Sequence, residues 1–419
     1  MHDTVLLLTV GGSCEPVVNA IRQTNPTFVY FICSSGPKGS EVVVDGAGKP
    51  CKERDKEDQP SIVQQNHLTP DQYEKVLLDD PDDLDSCFER IDSLSQQINQ
   101  RFPNARVIAN YTGGSKTMSV ALAIVACQKQ WDLQVNRGVR VDLVKVRAGT
   151  DAPARVQNIK ILLNQYRQQA RFCLDRYDYA GAELLLAQAL QLNLSSGDQE
   201  SLNKLRNYCK AFEHWDRFDY ATAADLLESL RGKLAGKYLP ALRKLRMETL
   251  SESGYWRVYD LLMNAERRAA QKRYDDAVAR LYRAMEMLAQ TRLTQAHQID
   301  ASDVDINRLP EHLREQYANR TVESNGKVQL ALTRSYTLLS ELGDSVGTLY
   351  KQKESQVLDA IRKRNYSYLA HGTEPIGETV YNTVRDALTE FIEQAIQAVS
   401  EAHPPRYPQL PQREIFEAL

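Results

Sequence analysis

The stretch ARVIANYTGGSKTM, residues 105–118, is the part of the sequence that best indicates the fold. Ala105–Asn110 is an apolar run that predicts a buried strand, and the apolar residues after Lys116 predict a helix to about Trp131. A strand that turns on paired glycines into a helix is typical of a parallel α/β sheet. Such a turn gathers backbone N–H groups, a hydroxyl and an ammonium group at a helix N-terminus, which suits a phosphate. Its glycine spacing is neither that of a P-loop nor that of a dinucleotide-binding fingerprint.

The rest of the N-terminal region also alternates strand-like and helix-like segments. Further strands are predicted at Thr4–Val10, Thr27–Cys33 and Val139–Val146, and helices at Pro16–Gln23 and Asp82–Arg101. The polar segment between residues 45 and 66 predicts an exposed loop or insertion. We therefore expect a Rossmann-like α/β domain over residues 1–155.

Small polar residues also follow the first two predicted strands. Because the carboxyl ends of neighbouring parallel strands meet at one edge of a sheet, these residues should lie beside the glycine turn. Paired glycines after a strand more often form a simple turn than a ligand site, but three such strand ends together favour binding. The predicted ligand-binding residues are Gly11, Gly12, Ser13, Ser34, Ser35, Thr112, Gly113, Gly114, Ser115, Lys116 and Met118.

From about Ile159 onward the sequence has the pattern of nearly continuous amphipathic helix. We expect a helical linker or hairpin region over residues 156–253 and a helical bundle over residues 254–419. A weak repeat, DRYDYA at 175–180, DRFDYA at 216–221 and KRYDDA at 272–277, predicts helical-hairpin turns in which Asp caps the second helix. The irregular spacing excludes a regular solenoid, and tetratricopeptide-like packing is favoured. The proline-rich tail after residue 403 should wrap a surface or fray.

The segment IRKRNYSYLAHG, residues 361–372, combines three residues suited to metal-free RNA cleavage. His371 can transfer a proton near neutral pH, Arg364 can hold a phosphorane anion, and Asn365 can fix their geometry. A lone histidine in a helix is more often structural, so the pattern alone is a modest signal. Tyr366 and Tyr368 can stack on bases or pack in a core, and core packing is favoured.

Composition excludes some classes of protein. The net charge of −3 argues against a basic protein that coats duplexes, although a local basic groove remains compatible with it. Hydrophobic residues make up 42% and charged residues 26% of the 419 residues, as in soluble globular proteins. The seven cysteines lack a C-x-x-C pair, and the N-terminus lacks an export signal. We therefore expect a cytoplasmic protein without a disulfide framework and without a membrane partner.

The strand-turn-helix motif resembles that of the CRISPR-associated Rossmann fold, abbreviated CARF, whose signature is Gly-Gly-[Thr/Ser]-Lys-x-Met. Gly113, Gly114, Ser115, Lys116 and Met118 match it, and Gly12, Ser13, Ser34 and Ser35 correspond to the family's other loops. The resemblance implies binding of a cyclic oligoadenylate, favouring cyclic tetra-adenylate, as an allosteric activator, with no cofactor. Many relatives carry Asp where this chain has Asn110, a departure that bears on ring cleavage rather than on binding.

The segment RNYSYLAHG resembles the HEPN ribonuclease signature, matched by Arg364, Asn365 and His371 at its longest spacing. The segment 276–290 also resembles the opening helix of that family. The order CARF then HEPN is characteristic of ribonucleases of type III CRISPR antiviral systems. The resemblance implies a homodimeric, metal-independent endoribonuclease that cleaves single-stranded RNA to a 2′,3′-cyclic phosphate.

The sequence leaves two other function classes to consider. A CARF sensor whose helical half recruits partners without cleaving RNA is the main alternative, and substitution of Arg364 or His371 separates the two. A nucleotide-dependent oxidoreductase is disfavoured because the dinucleotide fingerprint is absent.

Overall fold

The computed structural model describes residues 3–36, 38–52, 57–139, 150–318, 328–399 and 405–418. They divide into two units, Met1–Gln165 and Tyr166–Leu419. The finer boundaries expected near residues 155 and 253 stay predictions. Among the helices of these residues, none combines the length and the apolar character needed to cross a membrane.

The N-terminal unit is built on a six-stranded sheet with the order β3-β2-β1-β4-β5-β6. Neighbouring strands are parallel except β5 and β6, which are antiparallel. The strands are β1 (Thr4–Thr9), β2 (Phe28–Ser34), β3 (Tyr73–Leu78), β4 (Arg106–Asn110), β5 (Asp132–Arg137) and β6 (Ala152–Arg155). The helices are α1 (Glu15–Thr24), α2 (Glu41–Asp45), α3 (Ile62–Gln65), α4 (Leu84–Arg101) and α5 (Lys116–Gln128). The predicted Rossmann-like fold class is confirmed.

Both faces of the sheet are covered, which explains the continuous apolar runs of its central strands. Alternate residues of β1 point to opposite sides: Val5 and Leu7 pack with α4 and α5, and Leu6 and Leu8 pack with α1. The strands predicted near residues 4, 27 and 105 are therefore confirmed. The predicted strand Val139–Val146 falls almost wholly within residues 140–149, outside the described part of the chain.

The segment 45–66 is more structured than the sequence suggested. It contains the short helix α3, and Cys51 forms an isolated bridge with Gln59. Cys51 also forms a disulfide with Cys14, 37 residues away, across a Cα–Cα distance of 5.8 Å. The sequence predicted a protein without a disulfide framework, and this single disulfide was not expected. Only the folded chain brings Cys14, at the start of α1, next to this loop, so spacing along the sequence contained no sign of the pair.

The C-terminal unit is helical, as predicted. Its helices are α6 (Ile159–Leu174), α7 (Tyr179–Ala189), α8 (Ser196–Asp216), α9 (Tyr220–Leu230), α10 (Lys233–Leu245), α11 (Leu250–Ala270), α12 (Tyr274–His297), α13 (Glu311–Ala318), α14 (Leu332–Glu341), α15 (Ser345–Asn365), α16 (Glu378–Val399) and α17 (Glu414–Glu417). One apolar core extends from α11 through α16. Helix α6 begins before the boundary between the two units.

The three repeats form helix-to-helix turns. Tyr177, Phe218 and Lys272 adopt the left-handed conformation, with φ of 55°, 66° and 60°. Asp178 then caps α7 by accepting from Gly181 N, and Asp219 caps α9 in the same way. The third turn differs, because its N-cap residue makes no side-chain cap bond. The predicted turns are confirmed, and the predicted Asp cap holds for the first two.

The tail packs against the helical unit. The hydroxyl of Tyr179 donates to the carbonyl of Pro411 at 2.9 Å, and that of Tyr238 donates to the carbonyl of Gln409 at 2.9 Å. The buried carboxylate of Asp260 accepts from the hydroxyl of Tyr407. These bonds confirm that the tail wraps a surface.

Candidate functional site

The first candidate site lies at the carboxyl edge of the sheet. Strands β2, β1 and β4 are parallel neighbours, so the loops after them share this edge. Thr9 Oγ1 donates to the Gly113 carbonyl at 2.6 Å and thereby joins the ends of β1 and β4. A Cβ on Gly11 would lie 2.9 Å from Gly114 N, and one on Gly113 would collide with the Thr9 carbonyl. The glycines are therefore required by the close approach of two loops.

The turn into α5 uses some predicted ligand residues for its own structure. Ser115 Oγ caps the helix by accepting from Met118 N at 3.1 Å, and it donates to the Pro81 carbonyl at 2.5 Å. Met118 is 1% exposed, and its sulfur accepts from Ser115 N at 3.4 Å. Met118 is thus a core residue beneath the turn and does not face a ligand. Lys116, the first residue of α5, is exposed.

The other predicted residues differ in accessibility. Gly12 and Ser13 are exposed after β1. Ser34 Oγ lies 3.3 Å from Ser40 Oγ and also accepts from Ser40 N, so this hydroxyl organises its own loop. Ser35 donates to Asp79 at 3.1 Å. The accessible part of the edge is therefore formed mainly by the loop after β1 and by the start of α5.

A polar network next to Thr112 was missed by sequence reasoning. Thr112 Oγ1 donates to Asn110 Oδ1 at 2.6 Å and accepts from Asn136 N at 2.7 Å. Asn110 Nδ2 donates to Asn136 Oδ1, and Asn136 Nδ2 donates to Asp151 Oδ2 at 3.1 Å. Asp151 also accepts from Asn19. Because β5 has few buried apolar residues, the sequence contained no clear strand signal that would have placed Asn136 here.

The second candidate site lies at the end of α15 in the C-terminal unit. Arg364 and Asn365 belong to the last turn of the helix, and Arg364 Nη1 donates to Asn365 Oδ1 at 3.2 Å. The Arg364 guanidinium stacks over the Tyr282 ring, 4.2 Å from its centroid. Burial raises the pKa of Tyr282 above its ordinary value. Arg364 Nε, which is buried, has no hydrogen-bond partner in the described part of the chain.

His371 lies in the turn that follows α15, so the interpretation of this histidine as helical was wrong. Its backbone N–H donates to the Asn365 carbonyl at 3.3 Å, which folds the turn back onto the helix end. Gly372 N donates to the Ser367 carbonyl, and a Cβ on Gly372 would collide with the backbone of Tyr366. The fold therefore places Arg364, Asn365 and His371 at one helix terminus, with the side chain of His371 exposed.

Two tyrosines beside this site contradict an expectation. Tyr366 is 58% and Tyr368 66% exposed, so the prediction that they pack in the core was wrong. They occupy the turn after α15 rather than a buried helix face. On α15 itself, Lys351 and Lys363 form ion pairs with Glu354 and Asp359, which neutralise part of the positive charge of this helix.

Part of the chain matches a known protein family, and the whole chain matches a solved structure. Residues 246–395, which include the second site, match the protein family described as the Csm6 HEPN domain. A solved structure of Enterococcus italicus Csm6, bound to cyclic hexa-2′-fluoro-hexa-dAMP, matches over 100% of both chains with a TM-score of 0.63 and 13% sequence identity. The chain therefore has the fold of that Csm6 structure, and its residues 246–395 match the HEPN domain family.

Two further comparisons add less. Can2 from Sulfobacillus thermosulfidooxidans, solved in complex with cyclic tetra-adenylate, has 15% identity over 65% of this chain and 69% of that chain. Its TM-score of 0.24 is too low for a comparison of folds. No curated protein matches the sequence. The first site lies in the N-terminal sheet, outside the range that matches the family, and the second lies in helices within residues 246–395.

Proposed function

We propose that this protein is a CARF-HEPN endoribonuclease of type III CRISPR antiviral defence that cleaves single-stranded RNA when a cyclic oligoadenylate binds its N-terminal CARF domain. The observation that carries the proposal is the position of Arg364, Asn365 and His371 at one exposed helix terminus, inside the range that matches the Csm6 HEPN family. A proton-transfer group and an adjacent fixed cation are what phosphodiester cleavage requires.

In the proposed reaction the RNA cleaves itself. The 2′-oxygen attacks the adjacent phosphorus while a histidine accepts its proton, the bond from phosphorus to the 5′-oxygen breaks, and a proton is delivered to that leaving oxygen. The products are a 2′,3′-cyclic phosphate and a 5′-hydroxyl, and no metal ion takes part. His371 transfers protons, worth about 10²–10⁴-fold in rate. Arg364 stabilises the charge that develops on the phosphorane, and Asn365 orients Arg364 through their 3.2 Å hydrogen bond.

One chain supplies one histidine, His371, to the site at the end of α15, whereas the reaction needs both an acid and a base. We therefore propose that a homodimer assembles the active site from two copies of the α15 terminus. The exposure of His371 and of the neighbouring Tyr366 and Tyr368 is compatible with contacts to RNA or to a second copy. Stacking of unpaired bases on these tyrosines would favour single-stranded substrates.

The activator is proposed to bind at the carboxyl edge of the sheet. Its phosphates face the α5 N-terminus and Lys116, and the exposed backbone of Gly12 and Ser13 contacts the ring. The resemblance of the motif favours cyclic tetra-adenylate. The Enterococcus italicus structure contains a cyclic analogue of six nucleotides, so cyclic hexa-adenylate is the second activator to test. A cyclic oligoadenylate that binds the cleaving conformation more tightly than the inactive conformation shifts the population of molecules toward the cleaving one.

The test is cleavage of a fluorescent single-stranded RNA in EDTA, with cyclic tri-, tetra- or hexa-adenylate or without any ring. The His371→Ala variant is compared with His312→Ala, which changes an exposed histidine on α13 of the same unit. We expect cleavage that appears with only one of the three cyclic oligoadenylates and persists in EDTA. It should disappear in His371→Ala and remain in His312→Ala. Ring binding without cleavage would replace this proposal with a sensor that recruits partners. Failure of every ring to bind would refute the assignment of residues 112–118.

A further inference from the structure

A cavity of about 460 Å³ lies among the three repeat turns of the C-terminal unit. The segments 172–180, 213–217 and 268–273 each contribute to its wall. This volume is within the usual range of small-molecule sites, about 300–1,000 Å³. Four of the lining residues are arginines: Arg176, Arg217, Arg268 and Arg273. The cavity is separate from both candidate sites, and neither proposed activity uses it.

Arg268 is a buried cation that lacks a full set of partners. It is 8% exposed and pairs with Asp216, whose carboxylate also accepts from Arg267 Nε at 2.7 Å. Its Nε has no hydrogen-bond partner among the described residues. Burial and the nearby Arg280 and Arg273 lower the pKa of Arg268 to about 10. An unpaired donor at such depth is unusual, because buried guanidinium groups are normally fully hydrogen-bonded.

The acidic groups in the wall are already engaged. Glu213 accepts from Arg217 at 2.8 Å, and the Asp178 carboxylate caps α7 through Gly181 N. Arg176 is exposed and has no ion pair in the described part of the chain. Donors of the Arg176 and Arg268 side chains therefore remain for an incoming anion. Arginine forks match the geometry of phosphate oxygens, and charge-assisted bonds of this kind are the strong ones.

The wall also contains apolar surface that a larger ligand can cover. The side chain of Phe172 is 66% exposed and lies at this cavity. We infer that the cavity binds the phosphate group of a small phosphorylated molecule, held by Arg176 and Arg268, with its organic part against Phe172. The three hairpin turns then form a ligand site as well as a packing motif.

The test is isothermal titration calorimetry of the full chain with inorganic phosphate and with ribose 5-phosphate, at an ionic strength matched with sodium chloride. Ribose 5-phosphate lacks a base, so it avoids adenine recognition at the CARF edge. Arg176→Gln is the informative variant, because Arg176 is exposed and its substitution breaks no ion pair described in the structure. We expect its affinity to fall about tenfold, the effect of one charged hydrogen bond.

A control variant locates the binding. Arg246→Gln changes an exposed arginine of the same unit that does not line the cavity, so it should bind the probes as the wild type does. Tighter binding of ribose 5-phosphate than of phosphate would support contact with Phe172. The inference is overturned if neither probe binds or if Arg176→Gln binds as tightly as the wild type.

Discussion

Replacement of Gly113 by alanine tests the glycine turn most directly. The new Cβ would collide with the Thr9 carbonyl and lie 3.4 Å from Gly11 N, and both are backbone atoms that no side-chain rotation can move aside. Overpacking of this kind costs about 1–3 kcal/mol. Displacement of the turn also breaks the 2.6 Å bond from the buried Thr9 hydroxyl, which adds about 1 kcal/mol. We therefore expect Gly113→Ala to lower the free energy of unfolding of this unit by about 2–4 kcal/mol.

Gly12→Ala is the matched control, because a Cβ there meets nothing within 4 Å. Differential scanning calorimetry of the full chain should show a transition of the N-terminal unit about 5–15 °C lower in Gly113→Ala, at about 2–4 °C per kcal/mol for a unit of this size. Gly12→Ala should change it by about 1 °C or less. Equal melting temperatures for the two variants would refute the argument that close backbone approach requires Gly113.

Three further predictions concern the other features described above. His371→Ala should reduce ring-dependent RNA cleavage about 10²–10⁴-fold, whereas His312→Ala should retain wild-type cleavage in the same assay; equal rates would contradict the proposed proton transfer. Reduction of the Cys14–Cys51 disulfide, which closes a loop over a separation of 37 residues, should lower the stability of the N-terminal unit by about 3–4 kcal/mol. Calorimetry with and without a phosphine reductant measures this change, and Cys14→Ser should abolish the response. Burial raises the pKa of the Cys33 thiol to about 12, from 9.0, so the folded chain binds more protons than the unfolded chain above pH 9. Urea titrations should therefore show stability falling from pH 9 upward, and Cys33→Ala should remove this part of the slope.

The central strands could be predicted because their apolar runs reflect burial on both faces. Val5–Leu8 reads as one continuous hydrophobic segment, since both sides of β1 meet helices. Strand β3 is half-exposed and β5 is only partly buried, so neither left a distinct pattern in the sequence. The amphipathic pattern of the C-terminal region predicted helix here, but it did not predict that α15 ends at Asn365.

For the candidate sites, the sequence indicated which residues come together but not what each side chain does. The glycines of residues 112–118 and the trio Arg364, Asn365 and His371 were found because their local spacing along the chain is characteristic. Met118 belongs to the same motif, yet the fold turns its side chain into the core. A motif records which residues are present, whereas their orientation depends on the packing of neighbouring elements.

By itself, the sequence determined the α/β-then-helical architecture, the glycine turn after β4 and the residues at the end of α15, because each rests on periodicity or on local chain geometry. Tertiary structure alone decided the Cys14–Cys51 disulfide, the network of Asn136 with Thr112, and the cavity around Arg268. These features join residues far apart in the chain. Their partners are chosen by the way helices and strands pack, and no short stretch of sequence records that choice.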